Sequence, residues 1–459
     1  MRIKIPTLLL GLLAVGFVSQ TQAQCTTGQI SPNPNPAGNM LSIPAATTTC
    51  NGLVPFNNFG EISMGASATL NNDGTLVNRS GGRIVEDKNN GSGASNRVTL
   101  NNNLGGIINN ELGATVQLHN SNVNNFGVLN NHGFLGGAGM SLRNSGTFNN
   151  YGRLIPNVMT NEYGGTWNNS GVYIGDTPDT NNGMINNNPG GSISFYRINN
   201  TGTLNNSLGG SFSTNFGSST NTGILNNSGT WINNSFDGTF INSGQLFISA
   251  TGVVMGSTSS SGSYSQTAGI TKIDGSMTQR AVNINGGVLQ GNGSITAPVT
   301  VNGGTIAPGN SPGILMINGN YTQSATGTFA AEIGGRIAGV EYDLLKVLGI
   351  ATLDGALEVT LLDLGDGLFS PHPGDTFDIL SAEQIVGSFS DLFFPDLTRG
   401  QAEPFMWQIA YLSDAYGTTD VVRLSVVPIP EPEIYAMMIA GLGVLGFVVK
   451  RKNRHVATA

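Results

Sequence analysis

Charge is scarce in this chain. Lys, Arg, Asp and Glu make up 10% of its 459 residues, against ~25% in ordinary globular proteins. The formal balance of −8 argues against nucleic acid as a partner, because phosphate binding needs a basic face. Histidine is limited to His119, His132, His372 and His455. They share no ligand spacing, so neither a zinc site nor any other cofactor is expected. No G-x-S-x-G nucleophile elbow and no phosphate-binding loop occurs. No Gly-X-Y period appears, which excludes collagen. Hydrophobic residues still reach 39%, which excludes charge-driven disorder.

What the chain has in excess is glycine, at 66 residues, roughly twice the usual ~7%. Its N-terminus reads as a secretory signal peptide over 1–23. Arg2 and Lys4 give a positive start, and Leu8–Val18 is an apolar run. Thr21-Gln22-Ala23 then places small residues for cleavage between Ala23 and Gln24. That run is too short to span the ~30 Å hydrocarbon core. Export through the Sec machinery would put the only two cysteines, Cys25 and Cys50, in an oxidising compartment, where a disulfide is the default. Such a loop would stabilise by ~3 kcal/mol in the chain-entropy model. A lipidated Cys25 is the alternative, but Gln24 is not the small residue that a lipoprotein signal places before its cysteine.

The C-terminus, from Val426 to Arg454, reads VVPIPEPEIYAMMIAGLGVLGFVVKRKNR. Pro430-Glu431-Pro432 is followed by the apolar run Ile434–Val449 and then by Lys450, Arg451, Lys452 and Arg454. As a single transmembrane helix this run would reach ~24 Å, with the basic cluster on the cytoplasmic side. The three parts in this order resemble the PEP-CTERM sorting signal of Gram-negative exopolysaccharide producers. The resemblance implies recognition near Pro430-Glu431-Pro432 by an exosortase, with these residues as substrate. Gly441-Leu442-Gly443-Val444-Leu445-Gly446 matches a dinucleotide fingerprint in letters only, since no βαβ unit surrounds it; small residues easing helix packing are the better account.

Between the ends lies a repeat. Asparagine pairs that follow an apolar residue begin at Asn71, Asn109, Asn130, Asn149, Asn168, Asn186, Asn205 and Asn226. From Asn109 onward the spacings are 21, 19, 19, 18, 19 and 21. The first gap, 38, is two periods of 19, with Asn89-Asn90 midway. A second register runs through Asn125, Asn144, Asn161, Asn181, Asn200 and Asn221, and the two move together. The unit is N-x-G-[TVI]-[large apolar]-N-N-x-G, as in NSGTFNNYG at 144–152. This period without a helical pattern predicts an all-β parallel β-helix with coils of about 19–21 residues. Coils would stack ~4.8 Å apart. Phe148 should point inward between Leu129 and Trp167, with Thr147 outward. Asn149 should stack between Asn130 and Asn168 in an amide ladder. Asn and Gly are expected at corners, in left-handed backbone conformations.

From about Phe240 the texture changes. Gly303-Gly304-Thr305, Pro308-Gly309-Asn310-Ser311-Pro312-Gly313 and the alternating Leu345, Val347, Ala351, Leu353, Leu357 and Val359 resemble the C-terminal part of autotransporter passengers and filamentous-haemagglutinin-like adhesins. The resemblance implies that the whole is a right-handed parallel β-helix, with further coils here and then a capping β region, though no membrane barrel follows. The expected division is a signal peptide (1–23), an N-terminal cap (24–60), repeats (61–320), the β-helix end and cap (321–427), the sorting signal (428–454) and a cytoplasmic tail (455–459).

The chemistry expected of such a chain is contact rather than catalysis. The leading reading is a non-enzymatic, adhesin-like surface or extracellular-matrix protein associated with exopolysaccharide or cell-surface glycans. A polysaccharide-modifying β-helix enzyme is the alternative. Asp176 and Asp179, in GDTPDTNNG, are the nearby acidic pair on a loop that could serve it; a solvated turn is the bland reading of the same pair. Asp363 and Asp366 could face Ca²⁺, but nothing completes a shell, and a turn is simpler. Ice binding by outward threonines is a third idea, weakened because Thr147, Thr166, Met184, Thr203 and Ile224 make an irregular row.

Overall fold

The protein is described by a computed structural model over residues 29–52, 54–88, 96–236, 238–256, 262–397 and 405–429, with isolated positions between 440 and 445. The chain winds through three long sheets, placing one short strand in each per coil. The first sheet has 18 strands and the second and third have 16 each. Strands such as Ser141–Asn144, Thr147–Asn150 and Arg153–Ile155 follow one another around a single coil. Each pairs in parallel with its counterpart in the next coil. This is an all-β parallel solenoid. Among the described residues no helix is long and apolar enough to cross a membrane.

Alternation decides which residues form the core. In the strand Thr147–Asn150, Phe148 and Asn150 are buried while Thr147 and Asn149 are half-buried and face outward. Side chains alternate along a strand, so one large apolar residue per strand suffices. Phe148 pairs in register with Leu129 on one side and Trp167 on the other. The inward column continues through one apolar cluster from Ile30 to Val426. Aromatic rings stack along it, as Phe148 on Trp167 with centroids 6.3 Å apart and Phe212 on Trp231 at 5.3 Å.

The second asparagine of each pair is inside. Asn35, Asn58, Asn78, Asn110, Asn131, Asn150, Asn169, Asn187, Asn206 and Asn227 form one buried ladder at the end of the third sheet's strands. A second runs from Asn51 through Asn72, Asn102, Asn125 and Asn144 to Asn242 in the second sheet. Each Nδ2 carries two hydrogens, and along the middle of the ladders both are used. Asn125 donates to Asn144 Oδ1 at 2.7 Å and to the Thr147 carbonyl at 2.9 Å. The carbonyl lies at the start of the next strand of the following coil, just past the corner. The buried amide thereby finds partners inside the protein that water cannot supply.

Two expectations are corrected here. The ladder asparagines do not adopt left-handed backbone; Asn120 is the one asparagine with positive φ among the described residues. They occupy ordinary strand positions just before the corner. The recurrent glycine at the bend is needed for a different reason, close approach. A Cβ on Gly152 would lie 2.2 Å from the Gly133 carbonyl oxygen of the coil before, inside any allowed contact. Left-handed glycine appears in the longer corners, as at Gly164, whose φ is +80°. Gly152→Ala is therefore expected to destabilise by about 1–3 kcal/mol through overpacking. Urea denaturation of the variant beside the wild type checks this, and an unchanged midpoint would refute it.

The solenoid starts earlier than expected. Strands Met40–Ile43, Thr48–Asn51 and Phe56–Asn58 already belong to the three sheets, so that much of 24–60 is coil rather than cap. At the other end the coils run on to the strand Asp391–Phe393. An antiparallel hairpin, Phe405–Leu412 with Asp420–Pro428, then joins the strand Thr376–Ala382. It blunts the open end. The Asp420 carboxylate accepts the Ile385 N–H at 2.8 Å, and Trp407 donates to the Pro395 carbonyl at 3.1 Å. Arg423 and Asp378 pair across its base at 2.6 Å.

Candidate functional site

The outward face of the third sheet carries the first asparagine of each pair. Asn109, Asn130, Asn149, Asn168, Asn186, Asn205 and Asn226 stand in register on successive coils. Adjacent amides bond at 2.8 Å, with Asn149 donating to Asn130 and Asn168 donating to Asn149. These amides are half-buried, not sealed. Their polarity is opposite to that of the buried ladders: each outer Nδ2 donates toward the N-terminal end. The inner amides have no such freedom, because the carbonyl they must also reach lies in the following coil.

Asn71 does not belong to this row. Its strand, Thr69–Asn72, lies in the second sheet, where Asn71 accepts from Asn101 at 2.8 Å and Asn101 accepts from Asn124. The residue in register with Asn109 on the preceding coil is Val77. The reason is corner length. Coils here differ in their turn insertions, so a gap of 38 is not two equal periods. Asn89-Asn90 lie outside the described residues.

Beside the outer row runs a column of Ile107, Val128, Thr147, Thr166, Met184, Thr203 and Ile224. The face thus alternates carboxamide with hydroxyl or short apolar groups and carries no charge over these coils. Its chemical capacity is hydrogen bonding to neutral polar groups. The row stops after Asn226, where Phe247 and then Lys272 take the next outward positions.

The acidic pair separates. Asp179 is not on a turn at all; it is an inward residue of the strand Pro178–Asn181 and is fully buried. Its Oδ1 accepts the Met159 N–H at 2.8 Å. Its Oδ2 faces the equally buried hydroxyl of Tyr173 without completing a hydrogen bond in its geometry, and both lie within 2.7 Å of where a Cβ on Gly175 would stand. Burial pushes the Asp179 carboxyl up to about 7, against the lowering effect of Tyr173 and of the Met159 N–H. A solvated turn and a surface carboxylate pair are both excluded, since Asp179 cannot meet an external polymer. Asp343 is similarly buried and pushed up to about 7 by burial, while accepting the N–H groups of Gly313 and Glu332. Asp363 accepts the N–H groups of Gly365 and Gly367, the bonding of a turn. Among the described residues no group of three or more His, Cys, Asp or Glu could hold a metal ion.

Cys50 is disulfide-bonded; the chain's only other cysteine, Cys25, lies outside the described residues. So do Ala23 and Gln24 of the expected cleavage site, and Pro430, Glu431, Pro432, Lys450, Arg451 and Lys452 of the sorting signal with their apolar run. One buried ladder, Asn125 to Asn221, coincides with the second register of the sequence, which the period located without assigning it to the interior; the other, through the second asparagine of each pair, was passed over. The signal was present in the alternation itself: if Phe148 is inward, so is Asn150.

Comparison with protein families matches residues 428–452 to the PEP-CTERM protein-sorting motif. The match begins at the last residue of the terminal hairpin, Pro428. It implies an exported, cell-surface-targeted protein that an exosortase processes. No curated protein matches the chain.

Proposed function

From this exported, exosortase-processed solenoid we infer a non-enzymatic, adhesin-like protein of the cell surface or extracellular matrix. In this reading the Sec machinery exports it and the C-terminal apolar run holds it in the inner membrane until processing. The mature rod then associates with exopolysaccharide or other cell-surface glycans. The observation that carries the reading is the uncharged outer amide row from Asn109 to Asn226. Repeated at the strand spacing of ~4.8 Å, it suits many weak hydrogen bonds to a long neutral polymer, and weak contacts in series accumulate avidity.

The test is cosedimentation of the purified chain with exopolysaccharide from a producing strain, followed by assay of that polysaccharide for new reducing or unsaturated ends. The expected result is retention of the protein with an intact polymer. Robust cleavage would overturn the non-enzymatic reading, and loss of the protein to the supernatant would overturn the polysaccharide one.

A further inference from the structure

The outer row ends in a built recess. On the third sheet Asn226, Phe247 and Lys272 are consecutive outward residues in register. Ser228, Ser249 and Asp274 stand at the adjoining corner, and together they line a hollow of about 220 Å³. That is below the ~300–1,000 Å³ of a drug-sized pocket and suits a single small ring.

Each wall is unusual for this face. Phe247 is an aromatic residue in an outward position, on a face whose neighbouring outward residues are polar or aliphatic. Asn226 Nδ2 is used, donating to Asn205 at 2.8 Å. No described residue donates to Asn226 Oδ1, so an acceptor is left at the end of the row. Lys272 Nζ stands 3.5 Å from Asp274 Oδ2, longer than the ~2.7–2.9 Å of a charge-assisted hydrogen bond. The ammonium therefore keeps donors to spare. Asp274 is itself held in place, with Oδ1 accepting from Asn292 N–H and Asn310 Nδ2. An apolar ring face, a free acceptor, a free donor, a fixed carboxylate and two hydroxyls converge on one small hollow. The Lys272 and Asp274 charges offset each other, so no net charge selects an ion.

We propose that this recess is a subsite for one neutral pyranose unit of a polysaccharide, seated with its ring face on Phe247 and its hydroxyls between Asn226, Lys272 and Asp274. An aromatic face offers contact area without a hydrogen bond, which matches the C–H face of a sugar. The polar groups around it fix orientation. The proposal rests on the polysaccharide reading above and localises it to one end of the amide row.

The experiment is affinity electrophoresis and titration of the full purified chain with neutral hexaoses (cello-, malto- and manno-) and with a hexauronate. The wild type is expected to bind at least one neutral hexaose more tightly than the hexauronate. Phe247→Leu, which keeps an apolar side chain but removes the ring, should weaken that binding at least tenfold, while Phe247→Trp should retain it. Tyr151→Ala, at an exposed corner beside the row but away from the recess, should leave it unchanged. If Phe247→Leu binds as the wild type does, or if the hexauronate is preferred, the subsite is overturned and the polysaccharide reading survives. If the wild type cosediments with exopolysaccharide but binds no hexaose, the subsite is again overturned alone. Failure of both assays removes both.

Discussion

Asn150→Ala should cost about 3–5 kcal/mol, whereas its neighbour Asn149→Ala should cost no more than about 1.5 kcal/mol. The two residues are adjacent, identical in type and both in amide ladders. The difference lies in what their removal strands. Asn150 accepts from Asn131 Nδ2 at 2.8 Å and donates to Asn169 Oδ1 at 2.8 Å and to the Val172 carbonyl at 3.3 Å. The three amides are out of reach of water; Asn131, Asn150 and Asn169 are 0% exposed. Truncation leaves buried donors and acceptors without partners, each at ~1–3 kcal/mol. Asn149 also bonds on both sides, but water can replace a half-buried partner, leaving a net loss near 0.5–1.5 kcal/mol. Hydrogen exchange in the strands Val128–Asn131, Thr147–Asn150 and Thr166–Asn169 would read the cost locally, since a solenoid opens coil by coil. Equal loss of protection in the two variants would sink the claim that the inner ladder bears the greater share.

The second large effect is of pH. Asp179 is pushed up to about 7 in the folded chain, from an ordinary carboxyl value of 3.8. Below pH 4 both folded and unfolded chains hold the proton, and the group costs nothing. Between pH 4 and 7 the folded chain keeps a proton that the unfolded chain releases. Stability therefore falls as pH rises through this window, then stays low above it. Three units correspond to roughly 4 kcal/mol for Asp179. Asp343 acts in the same direction over the same window. Asp375 and Asp378, held low by Arg336 and Arg423 against the opposing effect of burial, act oppositely. Their contribution is present above the ordinary carboxylate range and fades only as pH falls through their lowered values, so it does not mask the window.

Asp179→Asn removes the ionisation and keeps an oxygen for the Met159 N–H. It should raise stability at pH 8, leave it nearly unchanged at pH 4, and flatten the slope between. Urea denaturation at pH 4.5, 6 and 8 decides this. A wild type more stable at pH 8 than at pH 4.5, or a variant with the wild-type slope, would show that Asp179 does not hold its proton. Asp343→Asn is the contrasting case, because one oxygen cannot replace two that bind Gly313 and Glu332.

How much of this could be read from letters depends on the range of the signal. The inward column was legible because alternation is local: Phe148 between Leu129 and Trp167 follows from register and period alone. The outer row from Asn109 was legible for the same reason. Asn71 was misplaced because corner insertions change coil length, and only the pairing of Thr69–Asn72 with Thr99–Asn102 reveals which sheet it joins. Asp179 was opaque for a different reason. GDTPDTNNG is turn-like in composition, with Pro178 opening the strand, and only alternation back from Asn181, as Met159 stands two residues before Asn161, turns the carboxylate inward. The recess at Phe247 needs three coils, from Asn226 to Lys272, before its walls meet.

The parallel stacking also fixes a lever arm. Sixteen strands in the second sheet, at ~4.8 Å per step, set the first and last coils roughly 70 Å apart. The sorting motif begins where the terminal hairpin ends, at Pro428, so any tether acting through it grips the rod at one tip. The opposite tip, near Met40, would then be held far out from the anchoring point as a rigid standoff. The outer amide row and the Phe247 hollow lie part-way along that reach, a position that stiffness, rather than any hinge, would maintain.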